Sequence, residues 1–259
     1  MSWFGKVVGG TFGFMMGGPL GALMGVALGN YFDGGLSNVN RHGRLGIGDT
    51  ERVQSVFFTV TFSVMGYVAK SDGKVTKDEI ALAEQVMDQM QLSAQQRKIA
   101  MTLFNEGKKP GFQIHEVLQQ FKKEVYRRRT LVQMFLEIVS AVALSDGSLD
   151  TKEQKILEDI ATDLGYSLAE FNELLGRLSG QAHFAAQSST ADKLAAAYEL
   201  LGITEGADPA ELKKAYRRQM NQHHPDKLVA KGLPEEMIDI ATKKTQDIKS
   251  AYELIKAHS

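Results

Sequence analysis

The 259-residue chain contains no cysteine. That excludes a disulfide scaffold, a thiolate metal centre and a cysteine nucleophile, and it agrees with a reducing compartment. Net charge is missing too: 30 basic against 31 acidic residues leave a formal charge of −1, so no bulk affinity for nucleic acid or another polyanion follows. No Gly-x-Ser-x-Gly nucleophile elbow occurs. Residues 50–178 hold no convincing strand run. Their apolar positions recur at helical spacing instead, which predicts an all-α protein. The length suits one or two domains plus an anchor.

Residues 7–28 lack charge altogether: the 22 residues from Val7 to Leu28 include no Asp, Glu, Lys or Arg. As a helix they would span about 33 Å, enough for a bilayer core. Gly5, Gly9, Gly13, Gly17, Gly21, Gly25 and Gly29 recur every four residues, with Gly10 and Gly18 beside them. On a helix that series makes one slowly winding groove, where a second helix can approach closely in lipid. The same helix would be poor in water. The predicted element is a dimerising transmembrane anchor at 1–32. A cleaved signal peptide, with Ala27-Leu28-Gly29 as the cut site after Lys6, and a soluble glycine-rich loop are the alternatives. Lys6 stands alone before the span, whereas Arg41, Arg44 and Arg52 follow it. The positive-inside rule then places the long C-terminal part in the cytoplasm.

Residues 33–49, rich in Gly, Asn and Arg, read as a linker. Within the predicted helical domain at 50–178 there is an internal repeat at an offset of 74 residues. Ala69-Lys70-Ser71-Asp72-Gly73-Lys74-Val75-Thr76 recurs as Ala143-Leu144-Ser145-Asp146-Gly147-Ser148-Leu149-Asp150, and Glu79 then matches Glu153. Each copy is an apolar helix, an Asp-Gly turn and a second helix, with Thr76/Glu79 and Asp150/Glu153 as capping boxes. The spacing is not that of an EF-hand, because only one Asp precedes each Gly and no alternating ligand series follows. Lys122-Lys123 and Arg127-Arg128-Arg129 form a basic stretch, read either as the solvated side of an amphipathic helix or as a face held against anionic lipid. Gly180 to Thr190 reads as a tether, giving a linker at 179–191 and a last domain at 192–259.

That last domain balances 11 basic against 11 acidic residues, but the charges are not mixed evenly. Asp208 is a good N-cap, Pro209 suits the first helical position and Glu211 completes a capping box. Leu212, Ala215, Tyr216 and one of Gln219 or Met220 make an apolar stripe. Lys213, Lys214, Arg217 and Arg218 crowd beside it, a patch suited to steering an acidic partner surface. Pro225 pushes His224 out of the α region and ends the helix. The returning helix, at about 234–257, presents Met237, Ile240, Ala241, Ile248, Ala251, Tyr252 and Ile255. Two such antiparallel helices would display His224-Pro225-Asp226 at an exposed tip. His223-His224-x-Asp226 is not read as a metal site, because the Pro restricts geometry and no third ligand completes a set.

Tyr198-Glu199-Leu200-Leu201-Gly202-Ile203, the Asp208–Arg218 helix, His224-Pro225-Asp226-Lys227 and Ala251-Tyr252-Glu253-Leu254-Ile255, in that order, resemble a J domain. This is the module by which DnaJ-type co-chaperones stimulate ATP hydrolysis by DnaK-type chaperones. The resemblance implies that His224, Pro225 and Asp226 trigger the partner's ATPase, that the basic helix supplies docking, and that the chain itself performs no chemistry and takes no cofactor. The doubled central pattern resembles the TerB-like helical domain. The whole arrangement, with Leu228-Val229-Ala230-Lys231-Gly232-Leu233-Pro234 after the triplet, resembles the membrane-anchored DnaJ-like co-chaperones of Gram-negative bacteria. That implies an inner-membrane, single-pass protein with cytoplasmic domains, a DnaK-type partner, self-association through the span, contact with membrane lipid and an unnamed client. The zinc-binding cysteine repeats and Gly/Phe-rich segment of general DnaJ proteins are absent, so independent holding of unfolded clients is not implied. The alternative is a membrane stress sensor or scaffold whose central domain binds a partner or, as acidic TerB-type domains can, a divalent metal.

Overall fold

Asp49–Ala69 forms the helix on which the fold is built, α1. It is apolar over most of its circumference: Val53, Val56, Phe57, Val60, Phe62, Val64, Met65 and Val68 are all buried. A helix with so little polar surface must be covered on several sides. Two of its buried hydroxyls bond locally, Thr59 Oγ1 donating to Ser55 O at 2.8 Å and Ser63 Oγ to Thr59 O at 2.8 Å, whereas the Thr61 hydroxyl has no partner among the described residues. The computed structural model describes residues 18–27, 49–70, 84, 86–144, 149, 151–186 and 189–258. Every regular element among them is helical.

Around α1 pack α2 (Ala94–Gly107), α3 (Ile114–Glu124), α4 (Arg129–Ala143) and α5 (Thr151–Asp163). Phe57, Phe121 and Phe135 meet at the centre with ring centroids 5.0–6.4 Å apart, within the range of favourable tilted and edge-on aromatic pairs. The repeat is visible as α1 and α4, which end at the equivalent Ala69 and Ala143. The Asp72-Gly73 and Asp146-Gly147 turns, Thr76, Glu79 and Asp150 lie outside the described residues. Two capping boxes that the repeat did not suggest start other helices. Ser93 and Gln96 cap α2 reciprocally. Ser167 and Glu170 do the same for α6 (Leu168–Ala186), with Ser167 N to Glu170 Oε2 at 3.0 Å and Glu170 N to Ser167 Oγ at 3.2 Å.

The remaining elements are α7 (Thr190–Leu201), α8 (Pro209–His223), α9 (Pro225–Ala230), a 3₁₀ turn (Glu235–Met237) and α10 (Ile238–His258). The tether expected at 180–190 is helical as far as Ala186. Gly180 is the reason α6 and α7 can lie together: a Cβ there would stand 2.6 Å from Glu199 Cβ and 2.7 Å from Leu200 N. Phe184, near the end of α6, belongs to the apolar cluster of the last helices with Leu200, Leu212, Ile248 and Ile255.

The hairpin of α8 and α10 does not stand free. Its lower half has the core just named. Its other end, with Leu228, Leu233, Met237 and Ala241, joins the central cluster around α1 and α4. Full burial of a Leu or Met side chain contributes roughly 1.5–3 kcal/mol, so these residues favour a docked arrangement strongly. The closest backbone approach is at Gly232, where φ is +102° and a Cβ would lie 2.7 Å from Val53 Cγ1. Only glycine suits both the conformation and the space.

Residues 18–27 are helical, with Leu20, Leu23 and Ala27 buried against the central cluster and Leu20 N donating to Gln120 Oε1 at 3.0 Å. Most of the expected span, with Gly5, Gly9, Gly13, Gly17 and Gly29, lies outside the described residues. Among those described, no helix is long and apolar enough to cross a membrane.

Candidate functional site: the His-Pro-Asp turn and its basic helix

Asp208 starts α8 as its sequence indicates. Its side chain accepts from Glu211 N at 2.8 Å, and Pro209 follows in the first turn. The reciprocal bond expected from the Glu211 carboxylate is missing, so the capping box is half made. Leu212 and Ala215 are buried, and Tyr216 stacks on Tyr252 of α10 with ring centroids 4.3 Å apart. The packing stripe fixes which way the rest of the helix faces. Lys213, Lys214, Arg217 and Arg218 are all exposed, and none is in an ion pair among the described residues. The four cations therefore stand together at the surface with their charge uncompensated.

Helix α8 stops where the proline requires. His224 adopts φ −59°, ψ 122°, outside the helical region, and Pro225 restarts the chain as the first residue of α9. The His224 carbonyl accepts from Lys227 N at 3.1 Å and Leu228 N at 3.0 Å, so the histidine caps α9 through its backbone. Its side chain is 44% exposed and that of Asp226 is 91% exposed, with His224 Nδ1 4.0 Å from Asp226 Oδ2. His224 Nδ1 has no hydrogen-bond partner among the described residues, and Lys227 Nζ holds Asn221 Oδ1 beside it. The turn thus presents an exposed carboxylate and a half-exposed imidazole next to the basic face, while the unpartnered Nδ1 itself is buried.

The triplet faces outward, but the segment that carries it leans on the central helices. Leu228 of α9 is buried, Lys231 Nζ donates to Thr130 Oγ1 at 3.0 Å and Gln54 Nε2 to Leu233 O at 3.2 Å. Gln91 Nε2 reaches Asp239 Oδ2 at 2.7 Å, and Gln96 reaches Glu236. Leu228, Leu233, Met237 and Ala241 thus join the central cluster as well as touching their own hairpin.

His223 and His224 point to opposite sides. His223 is 2% exposed and faces Glu137 of α4, which is 5% exposed. Its Nε2 lies 3.0 Å and 3.1 Å from the two Glu137 oxygens, and its Nδ1 lies 2.9 Å from Gln219 O. Lys244 Nζ of α10 donates to Glu137 Oε2 at 2.7 Å, and Gln133 Nε2 to Oε1 at 2.9 Å. Burial pushes the Glu137 carboxyl up, but the charges and hydrogen bonds of His223 and Lys244 outweigh it and hold the group well below the usual carboxylate range. Sequence reasoning missed this cluster. The available signal was Glu137 itself, a lone acid in the apolar run from Leu131 to Ala143, where an ionised group needs a partner. With His223 turned inward and Asp226 outward, the two histidines and the aspartate do not converge. Among the described residues no group of three or more His, Asp or Glu side chains could hold a metal ion.

Gln219, where an apolar residue is usual in the J-domain pattern, is buried, and its Nε2 has no hydrogen-bond partner. Arg127, with φ +60°, and Arg129 lie at the start of α4. Arg129 pairs with Glu170 and covers the Tyr166 ring at 4.8 Å, so it belongs to the fold. Tyr126 is exposed, with Arg127 over its ring.

Comparison with known proteins gives three matches along the chain. Residues 1–39 match the Co-chaperone DjlA transmembrane domain, 59–175 match Tellurite resistance protein TerB, and 196–259 match the DnaJ domain. Among relatives, Co-chaperone protein DjlA of Shewanella oneidensis is 48% identical over 82% of this chain and 81% of its own. The protein of the same name from Photobacterium profundum is 42% identical over 98% of each chain. That of Aliivibrio fischeri is 44% identical over 99% of this chain and 98% of its own. No solved structure matches the chain.

Proposed function

The chain belongs to the family of DjlA co-chaperones, and from that premise we propose that it recruits a DnaK-type chaperone to a membrane and stimulates its ATPase through His224, Pro225 and Asp226. The observation that carries the reading is the outward-facing turn at the end of a helix whose Lys213, Lys214, Arg217 and Arg218 are exposed and in no ion pair among the described residues. Those four cations steer an acidic surface of the partner and set its register. The turn then offers the half-exposed His224 ring and the exposed Asp226 carboxylate. The co-chaperone breaks no bond itself. It changes the partner's rate of hydrolysis by binding one of the partner's conformations better than another.

In this reading the N-terminal segment holds the protein in the bacterial inner membrane, with the helical domains in the cytoplasm. The flanking Arg41, Arg44 and Arg52 support that orientation. The four-residue glycine series supports pairing of two spans, which raises the local concentration of trigger turns. In the inserted state residues 18–27 leave the central domain, because Leu20 and Leu23 cannot face lipid and the protein core together.

The test is ATP turnover by a DnaK-type chaperone with increasing amounts of the full chain in nanodiscs. His224→Gln should abolish stimulation with an unchanged circular dichroism spectrum, since the ring donates or accepts no side-chain hydrogen bond among the described residues. Normal stimulation by the folded variant refutes the proposal.

A further inference from the structure

We propose that Glu137 of the central domain is a positioning residue for the His224-Pro225-Asp226 turn, so that the central and C-terminal domains act on the partner chaperone as one rigid body. The inference rests on the co-chaperone reading and adds to it a role for a residue outside the J domain.

The first observation is the split of apolar residues between two cores. Leu228, Leu233, Met237 and Ala241, which flank the trigger turn on its C-terminal side, belong to the buried cluster of the central helices, while α9 also stays in contact with α8 and α10. The turn is therefore held by the domain it leans on. Gly232 brings the backbone against Val53 at the same seam, and Lys231 and Leu233 add hydrogen bonds to Thr130 and Gln54.

The second observation is the polar centre of the seam. Both ring nitrogens of His223 face oxygen acceptors, the Gln219 carbonyl on one side and the Glu137 carboxylate on the other. Lys244 brings a cation to the same carboxylate, at 2.7 Å. Glu137 thus ties together two helices of the C-terminal domain, through His223 and Lys244, where the three side chains are no more than 9% exposed. A buried charge that loses its counter-ion is costly, so the carboxylate makes the seam specific as well as close.

The third observation is covalent. His223 immediately precedes His224, at the point where α8 stops and the backbone turns into α9. A ring anchored through Nδ1 to its own helix and through Nε2 to α4 fixes the end of α8. The direction in which His224 leaves the helix is fixed with it. The basic face and Asp226 point away from the seam and stay accessible. Docking on the central domain orients the trigger and does not cover it.

The experiment is a titration of the full chain in nanodiscs against a DnaK-type chaperone, comparing wild type, Glu137→Gln and His224→Gln. Hydrogen exchange is read on the same samples. For Glu137→Gln the maximal stimulation should fall roughly tenfold, because small misplacements of a reacting group are costly. The half-saturating concentration should stay within about twofold, because the basic face that sets encounter is intact. Exchange should speed up in residues 225–237 while 209–220 and 245–255 stay protected. The triple variant Glu137→Met, His223→Leu, Lys244→Met keeps the volume without buried charge and should recover at least half of the maximal stimulation. Wild-type stimulation by Glu137→Gln, with or without faster exchange, overturns the inference while loss in His224→Gln leaves the co-chaperone reading standing. A wild-type chain that does not stimulate overturns both. If Glu137→Gln does not fold, Glu137→Asp, one methylene shorter, decides in the same way: reduced maximal stimulation supports the inference and full stimulation refutes it.

Discussion

Two glycine-to-alanine substitutions on the central helices should have opposite signs. Gly66 lies where α1 crosses α2. A Cβ built on it would stand 2.0 Å from the Phe104 carbonyl oxygen and 2.8 Å from the carbonyl carbon, whereas real Cβ contacts essentially never fall under 3.0 Å. The obstacle is backbone, so no side-chain rotation relieves it, and the helices must part by about 1 Å (3.0 less 2.0). Gly107 repeats the arrangement from the other side, its Cβ meeting the Ser63 carbonyl oxygen at 1.8 Å. Overpacking of this kind costs about 1–3 kcal/mol. The upper end applies here, because parting the helices also loosens Phe62, Met65 and Leu103, all buried. Against that stands a helix-propensity gain of at most about 1 kcal/mol. Gly66→Ala should therefore destabilise by about 2 kcal/mol. Gly176, on α6, has nothing within 4 Å of its Cβ position, so Gly176→Ala keeps the propensity gain and should stabilise by about 0.5–1 kcal/mol. Equilibrium urea unfolding followed by circular dichroism measures both, with an unchanged m-value as the check that the same transition is compared. The reasoning fails if Gly66→Ala is as stable as Gly176→Ala.

Charge reversal of Lys214 and Arg218 should slow association with the DnaK-type chaperone more than it speeds release. The difference from wild type should close as salt approaches about 1 M, where the screening length is about 3 Å; an effect independent of salt in stopped-flow binding contradicts electrostatic steering. Glu137 has its folded-state carboxyl held below its ordinary value, so its contribution is fully present above the unfolded value of about 4.3 and is lost as pH falls below it. The urea midpoint of the wild type should drop more steeply below about pH 4.3 than that of Glu137→Gln, and parallel curves would count against the buried pairing. Asp208→Ala removes the cap on Glu211 N and should cost about 1 kcal/mol, read as a lower urea midpoint; an unchanged midpoint means the cap does not hold α8.

What was legible in the sequence is what is local in space. The Asp208 cap, the stop at Pro225 and the four cations beside the stripe of Leu212, Ala215 and Tyr216 depend on neighbours within a turn or two of helix, and each stands where the spacing puts it. That the basic face and the turn lie side by side was legible for the same reason, since both come from one continuous segment. The boundary at 180–190 was misread because Gly, Ala, Ser and Gln there suggest a flexible tether by composition. Gly180 is instead the residue that lets α6 and α7 touch, and composition does not distinguish a glycine that loosens a chain from one that admits a neighbour.

The sequence by itself determined the helical class, the Asp208 cap, the stop at Pro225 and the presence of a lone acid in an apolar helix. Only the tertiary structure decided what those apolar faces and that acid meet. Periodicity states that Met237 and Ala241 must be buried, but burial energy has no direction and does not name the surface that covers them. An ionised group among apolar residues must have a partner, but any cation brought close enough will serve. Glu137 and His223 are 86 residues apart, and Gln54 and Leu233 are 179 apart. Such pairs are chosen by how whole helices pack, through close approaches such as the one at Gly232, and no window of sequence contains both members.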